Sequence, residues 1–229
     1  MKTKIAFCVP STTNKKNWTT LEETFLFCIL LPSIKSLVSD FDIEVYIGYD
    51  HDDKLYEKIE KIETYENPKG CDTNLKLNWI PFEGCKGNPC KIWNELTKRA
   101  IDDGFDYIQI GGDDIMYDSR TEWLGKFLKL LKKNNNVGYS AGFSNNPNIP
   151  TQFLIHKKHY QHFGWVFPPQ IHNWFCDDFL FGLYKQHGNW FKEYNHYNLG
   201  GEPRYTPNND KRLCDMLITR HRKNLFKLI

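Results

Sequence analysis

The chain lacks any apolar run long enough to cross a bilayer: its longest, Phe25–Leu31, falls far short of the roughly 20 residues a membrane helix needs. It lacks a secretory segment as well, because Pro10 and polar residues follow the single short apolar run after Met1. The expectation is a cytoplasmic protein with no membrane span. It lacks a cationic excess: Lys+Arg 30 against Asp+Glu 28 leaves a net charge of +2, too little for a nucleic-acid coat. It has no G-x-x-x-x-G-K-[ST] loop and no G-x-G-x-x-G after the first apolar run, which removes P-loop and dinucleotide-binding readings. Its seven cysteines are odd in number and scattered, which suits a reducing compartment. Cys85 and Cys90 lack the second pair a structural zinc site needs. Arginine is scarce, confined to Arg99, Arg120, Arg204, Arg212, Arg220 and Arg222, and the accompanying Lys and Asn bias points to an AT-rich genome.

What is plentiful is aromatic. Phe, Trp and Tyr make up 15% of the chain, concentrated between Tyr160 and Tyr197 among Gly, His and Asn. Rings with polar edges pack in cores first, and they also stack on sugars and bases.

Apolar and β-branched runs at Lys4–Val9, Ile43–Tyr49, Leu75–Ile80 and Asp106–Ile110 read as four strands. Between them lie three helical stretches. The first opens on capping boxes, Thr19 with Glu22 or Thr20 with Glu23, presents Leu21, Phe25, Cys28 and Ile29, and is kinked or ended by Pro32. The second is a charged amphipathic helix over Asp52–Thr64, and the third runs from about Cys90 to Asp102 behind a Gly/Pro-rich loop. The second half reads as helix Thr121–Lys133, strands near Val137–Phe143, Gln152–His156 and Trp190–Tyr194, a helix from Asp177 to His187 and a basic helix from Asn208 onward. Strands alternating with helices at this spacing imply an α/β fold with a mostly parallel central sheet flanked by helices, in a single domain. Such sheets bind ligands beyond the carboxyl ends of their strands. Pro10–Asn14, Asp50–Asp53, Pro81–Lys91 and Gly111–Ile115 are therefore the segments where a site is expected.

The last of these carries the strongest signal. In Tyr107-Ile-Gln-Ile-Gly-Gly-Asp-Asp-Ile115 an apolar strand ends in two glycines and two carboxylates. Adjacent carboxylates repel, and a clustered pair usually needs a cation; oxygen ligands suit Mg²⁺ or Mn²⁺, which bind substrate phosphates. A second pair, Asp177 and Asp178, sits at the start of a helix, where a fixed carboxylate can serve as general base toward a sugar hydroxyl. Asp177 or Asp178 equally suits an ordinary helix cap.

The order of these features resembles the GT-A glycosyltransferases, nucleotide-sugar-dependent enzymes with one Rossmann-like domain. The resemblance covers roughly residues 4–200. It implies that Pro10, Ser11, Thr12 and Thr13 cradle the nucleotide, that Asp50 contacts base or ribose, and that Asn88, Lys91 and Asn94 help to hold it. It implies that Gly112-Asp113-Asp114 is the metal motif, with Asp114 and Asp113 on Mn²⁺ or Mg²⁺, although Gly112 stands where many members carry the first acid. His196 is the implied further ligand to metal or diphosphate. Asp178, or failing it Asp177, is the implied base of an inverting enzyme. Small size and the Lys/Asn bias are similar to glycosyltransferases of large DNA viruses, such as the rhamnosyltransferase domain of chloroviruses, which would place the chain in a host cytoplasm.

The expectation is a single domain over 1–229, with a nucleotide-sugar-binding half over 1–115 and an acceptor-binding half over 116–229 that ends in the C-terminal helix. Its donor would be a nucleoside diphosphate-sugar, a UDP-sugar first, and its acceptor a glycan or other hydroxyl, with no nucleic-acid partner. Two rivals stand beside it. A nucleotidyltransferase shares the architecture but needs a basic, glycine-rich first loop, and Pro10–Asn14 has no glycine. A non-catalytic sugar-binding module would keep the fold without turnover.

Overall fold

In the computed structural model, residues 2–59, 64–65, 75–208 and 210–225 are described. Strand β1 (Lys4–Pro10) lies at the centre of an eight-stranded sheet. Its apolar run is continuous because both faces are covered: Ile5, Phe7 and Val9 enter one core, and Ala6 and Cys8 the other. β1 pairs in parallel with β2 (Asp42–Asp50) on one side and β5 (Tyr107–Ile110) on the other. Beyond β2 lies β4 (Leu75–Phe82), again parallel, and at the edge β3 (Thr64–Tyr65), antiparallel. Beyond β5 come β8 (Phe153–His156), β7 (Tyr139–Phe143) and β9 (Gly188–Asn195), of which only the β7–β9 pairing is parallel. Four of the seven pairings are thus parallel, giving the expected α/β sheet with helices on both faces.

One face is covered by α2 (Pro89–Asp102), α5 (Cys176–Leu183) and α6 (Lys211–Leu225), with Leu96, Leu180 and Leu217 buried against it. The other is covered by α1 (Leu31–Ile34) and α3 (Glu122–Lys133), through Leu31, Trp123 and Phe127. The short α4 (Lys158–Phe163), absent from the sequence reading, follows β8. A two-stranded ribbon, β6 (Ile115–Met116) with β10 (Tyr197–Asn198), was also not expected; two residues leave no periodicity to read. Among the described residues no helix is long and apolar enough to cross a membrane.

Three helical expectations need correction, the simplest being that the helix expected to run to His187 ends at Leu183. Pro32 does not end the first helix: it occupies the first turn of α1, where its missing N–H is harmless. The turn before it is instead widened, with Leu26–Leu30 π-helical and the Leu31 N–H bonded to the Leu26 carbonyl. Glu23 does close the expected box, its carboxylate accepting the Thr20 N–H at 3.1 Å. Of the charged helix expected over 52–64, the described part is a 3₁₀ turn at Tyr56–Ile59, and Thr64 belongs to β3; residues 60–63 lie outside the described residues.

Helix α2 does most to position the site, because its N-terminus stands over the sheet's carboxyl edge. It packs close to β2 at Gly48, where a β-carbon would fall 2.3 Å from Ile92 Cγ2 and 3.3 Å from Leu96 Cδ1. Gly48→Ala is therefore expected to push α2 outward and cost about 1–3 kcal/mol, as overpacking does. Urea denaturation of the purified variant checks this, and an unchanged midpoint would refute the close packing.

Candidate functional site

The carboxyl ends of β1, β2 and β5, the N-terminus of α2 and a strap over 199–208 enclose a cavity of about 290 Å³. Pro10, Ser11, Thr12, Asp50, Asn88, Asp113 and Asp114 all line it. The structure thus brings together most residues expected at the nucleotide site. Thr13 is turned away from the cavity, its N–H and hydroxyl each donating to Asp53 at 2.8 Å, which ties the first loop to the second. Lys91 is exposed on α2 and does not line the cavity; its N–H is capped by the Asn88 side chain at 3.1 Å. Asn94 does not face it either. Its carbonyl accepts the Val166 and Phe167 N–H groups at 2.7 and 2.9 Å, and its amide donates to the Phe167 carbonyl at 2.8 Å. It is a staple for that loop.

Asp113 is fully buried. The Ser11 hydroxyl donates to its Oδ2 at 2.6 Å, and Tyr56 in turn bonds Ser11 at 2.6 Å. Its main partner is one that sequence reasoning missed, Arg204 of the strap. The guanidinium forks onto both oxygens of Asp113, with Nη1 2.8 Å from Oδ2, and Nη2 lies 3.5 Å from Asp114 Oδ2. Nη1 also donates to the Thr12 carbonyl at 2.8 Å. Arg204 lies in an irregular strap with no periodicity; the only trace of it in the sequence is that arginine is rare.

The Asp114 carboxylate is held between glycines. A β-carbon on Gly200 would lie 2.0 Å from its Oδ2, and one on Gly112 2.6 Å from its Oδ1. Burial, and then the neighbouring Asp113 charge, push the Asp114 carboxyl up to about 6, with Arg204 opposing. Burial also raises Asp50.

This turn does not fit a resident divalent ion as the sequence led us to expect. A guanidinium occupies the fork of the carboxylate pair, both Asp113 oxygens are engaged, and no three His, Cys, Asp or Glu side chains converge among the described residues. His196 is not brought to the carboxylates. It is buried in an aromatic cage, its ring 4.6 Å from Tyr117 and 4.8 Å from Trp123 between centroids, with neither nitrogen hydrogen-bonded. Burial pulls it down to about 3, so it stays neutral.

A second hollow, about 760 Å³, adjoins the first. Asp177 and Asp178 line it, and Trp93, Gln152, Trp174 and Tyr205 line both. Trp174 is 43% exposed there, an unusual state for so large a ring. The two acids lie in the first turn of α5, not at its cap: the cap is Phe175, in the left-handed region at φ +67°. A bulky side chain in that region is strained, and such strain gathers at functional sites. What holds the turn is Asn173, buried and fully bonded. Its carbonyl accepts the Trp174 and Asn208 N–H groups at 2.6 and 2.7 Å, and its amide donates to the Gly87 and Thr206 carbonyls at 2.8 and 3.3 Å. Burial first and the Asp178 charge second push Asp177 up to about 6; burial raises Asp178 too.

No protein-family profile matches the chain, and no curated protein sequence does. Solved structures do share its fold. S. aureus TarS 1–349 in complex with UDP-GlcNAc aligns with TM-score 0.60 at 17% identity, over 96% of this chain and 66% of that one. The longer S. aureus TarS structure aligns at 0.59 and 15%, so that the chain spans 39% of its length. A cytidylyltransferase from Leptospira borgpetersenii aligns at 0.51 and 12%, over 84% of this chain and 76% of that one. At these identities the likeness is one of fold.

The glycine cradle yields a direct test. Gly200→Ala places a methyl group against the Asp114 carboxylate, so the strap must lift; a loss of about 1–3 kcal/mol is expected, with faster proteolysis within 199–208. A variant as stable and as protease-resistant as the parent would show that the strap does not rest on Asp114.

Proposed function

We propose that this chain transfers a sugar from a nucleoside diphosphate-sugar, a UDP-sugar first among them, to a hydroxyl of a glycan acceptor. The observation that carries this reading is the pair of adjoining hollows. One lies over the strand ends with Ser11, Asp50 and Asn88; the other holds two acids of raised affinity for protons; Trp174 stands at their junction. A transferase of this kind needs that arrangement, since donor and acceptor must meet with the anomeric carbon between them. The fold it shares with a structure solved around UDP-GlcNAc supports the donor class.

In this mechanism the acceptor hydroxyl attacks the anomeric carbon in line. Its proton passes to a carboxylate, the new glycosidic bond forms, the bond from C1 to the phosphate oxygen breaks, and the nucleoside diphosphate leaves with inverted stereochemistry at C1. The environment favours Asp177 over Asp178 as that base, because a carboxyl raised to about 6 is matched to proton transfer near neutral pH. Asp178 is raised by burial as well, with Lys211 opposing. Trp174 offers a flat face for a sugar ring.

Nucleotidyl transfer is the second reading, favoured by the fold shared with the cytidylyltransferase. The two differ in product: incubation of the chain with UDP-sugars and glycan acceptors should release UDP, whereas a nucleotidyltransferase given a nucleoside triphosphate and a sugar phosphate releases pyrophosphate. Pyrophosphate release without any UDP release would overturn our reading.

Asp177 gives the proposal a pH signature. Below about 6 it is protonated and cannot accept the acceptor's proton, so kcat/KM should rise with pH through about 6 and then level. Asp177→Asn should lower transfer by about 10²–10⁴-fold while leaving UDP affinity nearly unchanged. Should Asp178→Asn alone have that effect, the base is Asp178; full activity in both variants would remove the acid pair from the mechanism.

A further inference from the structure

We propose that Arg204 is the resident cation of the Gly112–Asp114 turn, and that this chain therefore holds its nucleoside diphosphate without a divalent ion. For the identity of the ligand the inference rests on the transferase reading above. Its own basis is the geometry around one guanidinium. Both oxygens of Asp113 accept from it, Asp114 Oδ2 stands 3.5 Å away, and the Thr12 carbonyl takes a further N–H at 2.8 Å. Its flat face lies over the Phe25 ring, with Cζ 5.4 Å from the centroid. The Arg204 side chain is only 12% exposed. Its own backbone is pinned as well, the carbonyl accepting from the Asn14 side chain at 2.7 Å. A planar cation held in its plane by carboxylates and on its face by a ring is a built position, since the fork geometry of arginine matches a carboxylate as no lysine can.

The charges at the turn itself agree. Two carboxylates at the strand end would repel an incoming diphosphate, and a metal ion ordinarily cancels them. Here Arg204 cancels one, and Lys16, whose Nζ lies 4.7 Å from the centroid of the same Phe25 ring, adds a second positive charge that acts on Asp114. Formally these four groups sum to zero before any ion binds, while Asp50 and Glu202 also line the cavity and keep its wider lining acidic. A divalent ion and the guanidinium cannot share the fork, and removing Arg204 would leave Asp113 buried and unpaired, a costly state.

The experiment uses the whole chain, with UDP and Mn²⁺ as separate probes. Calorimetry should give UDP affinities in EDTA and in Mn²⁺ within about threefold of each other. Mn²⁺ titrated alone should give no binding heat. Arg204→Gln removes the cation, and UDP affinity in EDTA should then fall at least ~30-fold. Mn²⁺ should now bind the variant and raise its melting temperature while leaving the parent's unmoved. Arg204→Lys keeps the charge without the fork and should fall between the two. A parent that binds UDP only with Mn²⁺, or that binds Mn²⁺ alone, overturns the proposal. If no nucleoside diphosphate binds in either buffer the transferase reading falls. The Mn²⁺ titrations still decide the role of Arg204: heat with the variant only supports it, and heat with the parent overturns it. Should Arg204→Gln fail to fold, the two titrations of the parent decide between the guanidinium and a metal ion.

Discussion

A carboxylate with no exposure to water must be neutralised where it stands, and Asp113 is such a group. Much of the site's architecture follows from that requirement. The positive partner arrives from Arg204, 91 residues further along the chain, and brings with it the strap that roofs the first cavity. Ser11 adds the remaining hydrogen bond and Tyr56 holds Ser11, so the loops after β1 and β2 are fixed by the same acid. Leaving such a charge unpaired typically costs ~3–5 kcal/mol, a large share of a domain's net stability. The strap is thus part of the folded core's electrostatics, although residues 199–208 form neither helix nor strand.

Both acid pairs answer the same physics differently. In each, one carboxyl is pushed up to about 6 by burial first and a like charge second. At the strand end an arginine relieves the crowding. At the start of α5 no guanidinium is bonded to Asp177, and the helix N-terminus, which favours an anion, is outweighed by burial. The two pairs thus differ in their partners and not in the direction of their shift: a guanidinium sits against the first, and none is bonded to Asp177 among the described residues.

The sheet was legible because its strands announce themselves. Lys4–Val9 and Asp106–Ile110 are short apolar runs bounded by Pro10 and the Gly111–Gly112 pair, and a strand buried on both faces has no alternative reading of that length. The acid pairs were legible by position, after a strand and at the start of a helix. Their partners were not. Arg204 meets Asp113 through tertiary folding alone, and no spacing rule links two residues so far apart. His196 was offered as a ligand by the resemblance alone, whereas its aromatic cage of Tyr117 and Trp123 is assembled from separate segments that no motif order reveals. Asn94 was likewise offered by the resemblance, and the loop at 166–167 engages both its side-chain oxygen and its nitrogen.

Asn173 carries a consequence for anyone who would redesign this protein. One buried amide ties the Gly87 loop of the first hollow, the Trp174–Phe175 turn of the second and the roof at Thr206–Asn208. These three segments cannot relax independently, so their displacements share a single free-energy cost. Linkage then makes the two hollows reciprocal: whatever factor an occupant of one imposes on affinity at the other, it must receive in return. Selectivity at one side is therefore not a modular property. A library that varies the Trp174 turn to change what enters the larger hollow will alter occupancy of the smaller one, and directed evolution here would have to screen both at once.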